Sequence, residues 1–215
     1  MNAIKLIHHV FEGELNIGES KLWGDPDLPG SFDFPVYKDE EGDKVHYTFI
    51  GQINCTQIAP YDKENRLPKV GMLYFFGKIE YYLGDFLCDP VGDAFWKPGD
   101  VKVLYYPRND YENFERVVLI DDDDNPISIR EHKIDFEAVE DQGSEYDTKL
   151  LGLPAYLADD VDLDKYTLLL QLDSDDIDDE HTLNFMDWGQ LLFLIPTADL
   201  ERPSFKNVIA YLASS

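Results

Sequence analysis

Cysteine is nearly absent: Cys55 and Cys88 are the two in 215 residues. Neither has a second cysteine or a close histidine beside it, so no zinc site of the paired-cysteine kind can be drawn. Two free, buried thiols in a reducing compartment are the expectation. Long apolar runs are missing as well. No stretch approaches the roughly 20 residues that a membrane helix needs. The opening Met1-Asn2-Ala3-Ile4-Lys5-Leu6-Ile7-His8-His9 has neither the apolar segment nor the small-residue cleavage site of a signal peptide. A cytoplasmic protein is therefore expected. Positive charge is scarce, with 18 Lys and Arg against 44 Asp and Glu and a net charge of −26. Up to Pro107 there are 17 acidic and 10 basic residues; beyond it there are 27 and 8. Such a surface repels nucleic-acid phosphates and anionic lipid, which argues against a role on either. It attracts a basic protein partner quickly and in a salt-dependent way.

The usual catalytic signatures are also lacking. There is no G-x-S-x-G elbow, no P-loop and no G-x-G-x-x-G. The five histidines, His8, His9, His46, His132 and His181, include no i,i+3 or i,i+4 pair. Neither a Cys55–His46 nucleophile pair nor a zinc hydrolase built on His8 or His9 with remote carboxylates has a signature motif behind it.

What is present is a repetition. Tyr47-Thr48-Phe49-Ile50-Gly51-Gln52-Ile53 is echoed by Tyr166-Thr167-Leu168-Leu169-Leu170-Gln171-Leu172. Gly71-Met72-Leu73-Tyr74-Phe75-Phe76 is answered by Gly189-Gln190-Leu191-Leu192-Phe193-Leu194, and Lys21-Leu22-Trp23-Gly24-Asp25-Pro26 by Lys149-Leu150-Leu151-Gly152-Leu153-Pro154. The offsets are 119, 118 and 128 positions, in the same order along the chain. Three blocks in register point to an internal duplication, with units at about 20–106 and 146–212 inside one domain spanning 1–215.

Apolar, β-branched and aromatic segments of strand length recur between Gly, Pro and Asp clusters. They predict strands at Tyr47–Ile53, Gly71–Phe76, Val101–Tyr106, Arg116–Ile120, Ile127–Arg130, Tyr166–Leu172, Gln190–Ile195 and Asn207–Leu212. Asp121-Asp122-Asp123-Asp124-Asn125-Pro126 reads as the acidic turn of a hairpin. Helix is expected only from Gly143 toward Leu151, with Ser144 as cap, and as a turn at Pro154–Leu157. The aromatic groups at Tyr74-Phe75-Phe76, Tyr81-Tyr82 and Tyr105-Tyr106 read as core.

These motifs resemble a known family. Ser20-Lys21-Leu22-Trp23-Gly24-Asp25-Pro26-Asp27-Leu28-Pro29 and Phe32-Asp33-Phe34-Pro35 look like the opening of the YwqG-like family, a bacterial domain of unknown function. Phe49-Ile50-Gly51-Gln52-Ile53-Asn54, Leu67-Pro68 with Gly71–Phe76, and Leu150–Pro154 match later signatures. So do Leu168–Asp175 and Trp188–Phe193. The resemblance runs from about residue 20 to the C-terminus. It implies an α+β, mostly antiparallel fold with a duplicated core, and no established activity. Two departures stand out: Trp23 replaces a usually small residue, and Asp187-Trp188-Gly189 is compressed.

Candidate site residues follow from polar groups in apolar strands. Gln52 with Asn54 and Gln171 with Asp173 need hydrogen-bond partners if buried. One reading has each pair holding its neighbouring Gly/Pro loop. The other has both pairs lining a cleft between the halves, with Trp23 and Trp188 as aromatic walls. Asp173-Ser174-Asp175-Asp176-Ile177-Asp178-Asp179-Glu180-His181 is the richest acidic run for a divalent cation, with Asp173, Asp175 and Asp176 as ligands for Ca²⁺ or Mg²⁺, while Asp121–Asn125 fails the EF-hand pattern at Pro126 and His132. The richer run fails it at Ile177, Asp178 and Asn184, and a solvated turn is the plainer reading. Two function classes result. The preferred one is a non-enzymatic binding module docking a basic protein. The other is a hydrolase or small-ligand protein using the cleft, with the cation at Asp173–Asp176.

Overall fold

Nearly continuous apolar runs build the centre of the molecule, and two long strands of alternating side chains join its sides. The structure, a computed structural model, describes residues 1–39, 41–79, 94–95, 99–143, 147–155, 162–177, 182–185 and 188–213, without the side chains of 94, 95 and 176. In chain order the first strands are β1 (Asn2–Val10), β2 (Lys21–Leu22), β3 (Asp27–Pro29), β4 (Val36–Lys38), β5 (Lys44–His46) and β6 (Thr48–Asn54). Helix α1 (Cys55–Ile58) follows, then β7 (Met72–Gly77), β8 (Ala94–Phe95), β9 (Val101–Tyr106) and β10 (Phe114–Arg116). The remainder is β11 (His132–Glu140), β12 (Lys149–Leu151), β13 (Tyr166–Asp173), β14 (Asp175–Asp176), β15 (Thr182–Leu183), β16 (Gln190–Pro196), helix α2 (Thr197–Leu200) and β17 (Ile209–Ala213).

Strand accounts for 45% and helix for 6% of the described residues, so the fold is mainly β, and the helical share of the expected α+β class shrinks to single turns. Gly, Pro and Asp recur through the sequence between strands and interrupt a helix before it can propagate. The expected helix toward Leu151 is replaced by β12, while Ser144 lies outside the described residues. Pro154 and Ala155 are not helical, and Tyr156 and Leu157 are outside the description, as are Tyr81, Tyr82 and Cys88.

Eleven strands form one antiparallel sheet in the order β8-β17-β16-β13-β12-β1-β11-β2-β6-β7-β9. From the β1–β11 seam outward, β12, β13, β16 and β17 on one side face β2, β6, β7 and β9 on the other. Both long strand pairs carry a bulge at the same place, between Phe49 and Gly51 and between Leu168 and Leu170. The seam keeps the 128-residue step: His132 pairs with Leu22 in β2, and Ile4 with Leu150 in β12. The sheet is nearly closed. Phe95 ends β8 on one edge and Val101 begins β9 on the other, a separation the chain spans in at most about 20 Å.

Inside the curve, Leu73, Phe75 and Val103 meet Leu191, Phe193 and Leu212 in a single core. The rings of Phe75 and Phe193 cross edge to face, 5.5 Å between centroids. The outer face of β6, β7 and β9 carries Phe49, Tyr74, Phe76 and Tyr106, covered by Leu28, Phe32 and Phe114. Gly71 and Gly189 stand immediately before β7 and β16 for a steric reason. A Cβ on Gly71 would stand 2.0 Å from the Tyr106 carbonyl, and one on Gly189 2.1 Å from the Ala213 carbonyl.

The acidic hairpin forms, but in reduced form. Ile120 and Pro126 make one bridge, the Ile127 N–H donates to the Leu119 carbonyl at 3.0 Å, and Asp121 accepts from the N–H of Asp123 and Asn125 at 2.9 Å each. Instead of extending the hairpin, Phe114–Arg116 pairs with β3. Val118 and Ile120 stay about half exposed, so nothing on this stretch drives further strand pairing.

Candidate functional site

Gln52 sits on β6 opposite Lys21 and Tyr74, fully buried. Its Oε1 accepts from the Asp27 N–H at 2.8 Å, and its Nε2 donates to the Glu19 carbonyl at 2.8 Å and to Asp27 Oδ2 at 2.7 Å. Gln171, also fully buried, repeats the geometry: Oε1 accepts from the Ala155 N–H at 3.1 Å and Nε2 donates to the Asp147 carbonyl at 2.9 Å. Asp27 and Ala155, like Glu19 and Asp147, stand 128 positions apart. The next station repeats too. The Asn54 N–H donates to Ser20 Oγ at 2.8 Å, and the Asp173 N–H to Thr148 Oγ1 at 3.1 Å.

The side chains at that station differ. Asn54 donates to the Gly18 carbonyl at 2.7 Å and accepts from the Thr56 N–H at 3.0 Å, which caps α1. Asp173 accepts from the Ser174 N–H at 3.1 Å and from Gln190 Nε2 at 3.2 Å. Burial pushes its carboxyl up to about 6, against the pull of those two donors and with the push of Asp147 and Asp175. Asp175 Oδ2 lies 3.5 Å from His8 Nε2, and His8 Nδ1 lies 2.9 Å from His132 Nδ1. Burial, then the neighbouring His9, holds His8 below its ordinary pKa. The side chain of Asp176 and residues 178–181 lie outside the description. Among the described residues no group of three His, Cys, Asp or Glu side chains is placed to hold a metal ion. Cys55 is a buried free thiol that burial pushes up to about 12.

Trp23 is 2% exposed and belongs to the central core, whereas Trp188 is 57% exposed. The two indoles therefore occupy different environments. Trp23 and Trp188 share a left-handed backbone, with φ of 58° and 57°, as does Leu151 at 60°, the counterpart of Trp23.

A buried charge cluster lies under the first Gly/Pro loop. Lys21 Nζ is 3.0 Å from Glu131 Oε2 and 3.5 Å from Asp27 Oδ1, while Arg116 Nε is 3.0 Å from Asp27 Oδ1. The counterpart of Lys21, Lys149, lies 2.8 Å from the carboxylate of Asp141. Asp25 stands at the edge of the first cluster, half-buried. Burial raises its carboxyl above the ordinary range, and Glu131 adds to the rise; a hydrogen bond with Ser128 and the charges of Lys21 and Arg116 oppose it.

Asp25 and Ser128 open onto a cavity of about 390 Å³, the size of a small-ligand site. Phe34, Tyr47, Phe49 and Ile127 give it an apolar wall, and Lys44 and His46 stand on its β5 side. None of the candidate site residues Trp23, Gln52, Asn54, Gln171, Asp173, Asp175, Asp176 and Trp188 lines it. The one signal for Asp25 was a carboxylate inside the Trp23-Gly24-Asp25-Pro26-Asp27 motif, and its neighbours Arg116, Ser128 and Glu131 come from far along the chain.

A family model described as a domain of unknown function (DUF1963) matches residues 20–213, and the YwqG-like resemblance agrees with it. No match was found among curated proteins.

Proposed function

Because the chain belongs to the DUF1963 family over nearly its whole length, and that family brings no activity with it, we propose a function from the geometry. The protein is a non-enzymatic binding module that docks a basic protein on the face around the Asp25 cavity. One observation carries this reading: the exposed acidic tip Asp121–Asp124 projects from Leu119 and Ile127, which themselves wall the cavity. Half-exposed Val118 and Ile120 lie beside it. An apolar opening under four clustered carboxylates, on a chain of net charge −26, complements a cationic segment with apolar side chains.

The other reading, a hydrolase or small-ligand protein with Ca²⁺ or Mg²⁺ at Asp173–Asp176, is not adopted. Asp173 already accepts from Ser174 and Gln190, and Asp175 faces His8.

Calorimetric titration with a lysine- and leucine-rich peptide tests the docking. Wild type is expected to bind at about 150 mM salt, where free surface charges are largely screened, and the Asp121→Asn, Asp122→Asn, Asp123→Asn, Asp124→Asn variant is expected to lose that binding. Binding that disappears from the wild type at that salt would reduce the attraction to nonspecific charge.

We also infer that the units at about 20–106 and 146–212 descend from an internal duplication within one domain of 1–215. The matching partners of Gln52 and Gln171, at a constant step of 128, support this.

A further inference from the structure

We propose that the Asp25 cavity is a lysine-side-chain site, in which the ammonium of a partner's lysine rests against the Asp25 carboxylate. This rests on the docking reading above and assigns the part of the partner that enters.

The argument begins with charge. In the cluster below the cavity, Lys21 and Arg116 bring two formal positive charges, while Asp25, Asp27 and Glu131 bring three negative ones. The two cations are engaged by Asp27 and Glu131, with Arg116 NH1 a further 3.9 Å from Glu131 Oε1. Arg116 also donates to the Leu15 carbonyl at 2.8 Å, so it is fixed from two sides. Asp25 is the carboxylate in excess, and it is the one that faces the cavity. Among the described residues Asp25 forms no ion pair, and a half-buried anion gains more from an incoming positive charge than an exposed one does, because part of its desolvation cost is already met.

The walls select how that charge is carried. Phe34, Tyr47, Phe49, Val45 and Ile127 suit an apolar stem and offer ring faces to a cation. A lone carboxylate at the end of an apolar wall suits a compact ammonium carried on a long apolar stem. Lys44 and His46, also in the lining, are exposed on β5, while Lys21 and Arg116 are held by Asp27 and Glu131.

The test uses the full chain and the lysine- and leucine-rich peptide, in plain and lysine-acetylated forms, followed by calorimetry. Two variants address the site: Asp25→Asn removes the charge, and Ile127→Trp fills the cavity while leaving the carboxylate cluster untouched. Each is expected to weaken the plain peptide by about tenfold or more, the factor a charge-assisted hydrogen bond is worth, and acetylation is expected to weaken wild type equally. Both variants are checked for the wild-type melting transition. If either folded variant binds the plain peptide within about twofold of wild type while the fourfold tip variant does not bind, the lysine site is overturned and the docking reading stands. If wild type binds neither peptide, both fall.

Discussion

A carboxylate occupies, in the second half, the position that an amide holds in the first. Asn54 serves backbone groups on both sides, whereas Asp173 has donors for one oxygen and sits where ionisation is disfavoured. With its folded pKa raised from 3.8 to about 6, Asp173 keeps a proton in the folded state that the unfolded chain has released. Its contribution to stability is therefore full below 3.8 and is lost as pH rises through about 6. Asp173→Asn restores the amide and is expected to stabilise the protein at about pH 8 by up to about 1 kcal/mol, after discounting for the half-exposed side chain. The gain should shrink toward zero near pH 4. Thermal melts of the two proteins at both pH values check this, and an equal gain at both would remove ionisation as its cause.

Each short strand at the flank of the seam is tied down by a glutamine from its neighbour. Gln52 holds the loop that contains β2 and β3, and Gln171 holds the chain around β12, both by bonding backbone groups. Gln52→Leu and Gln171→Leu should each cost roughly 1–3 kcal/mol, since the freed backbone groups stay buried. Urea unfolding measures it, and unchanged midpoints in both would discard the anchoring role. Strands β6, β7, β13, β16 and β17 were legible because they are buried on both faces and read as apolar runs, and β9 because its apolar and aromatic residues are broken only by exposed Lys102. β1 and β11 were not. In β11, buried Ile134 and His132 alternate with exposed Asp135 and Glu137, a two-residue period hidden by the acidity of the surrounding chain. The glutamines were visible as polar residues in apolar strands. Asp25 was not, because its meaning depends on Arg116 and Glu131, which only folding brings near.

At the scale of the whole molecule, the seam between β1 and β11 joins the two sides of the sheet, and a histidine pair spans it. One proton lies in the 2.9 Å contact between His8 and His132, with Asp175 on the far nitrogen of His8 and His9 beside it in β1. With the folded pKa of His8 below 6.5, the unfolded chain binds more protons in the window beneath 6.5, so stability falls as pH drops through it. His8→Gln should flatten that loss, measured as a smaller difference in urea midpoint between about pH 7.5 and pH 5 than wild type shows. A difference as large as in wild type would place the acid sensitivity elsewhere.

The edge strand β8 lies within the first half by sequence, yet it pairs with β17, where Phe95 faces Tyr211 and Ala94 faces Leu212. The consequence concerns synthesis. A chain emerging from the ribosome has β6, β7 and β9 in hand long before β16 and β17 exist, so Leu73, Phe75 and Val103 wait without the side chains that cover them. The core closes only when the last strand arrives. A nascent chain of this protein therefore carries an open apolar face through the making of its more acidic half, whose like charges keep such exposed faces on neighbouring chains apart.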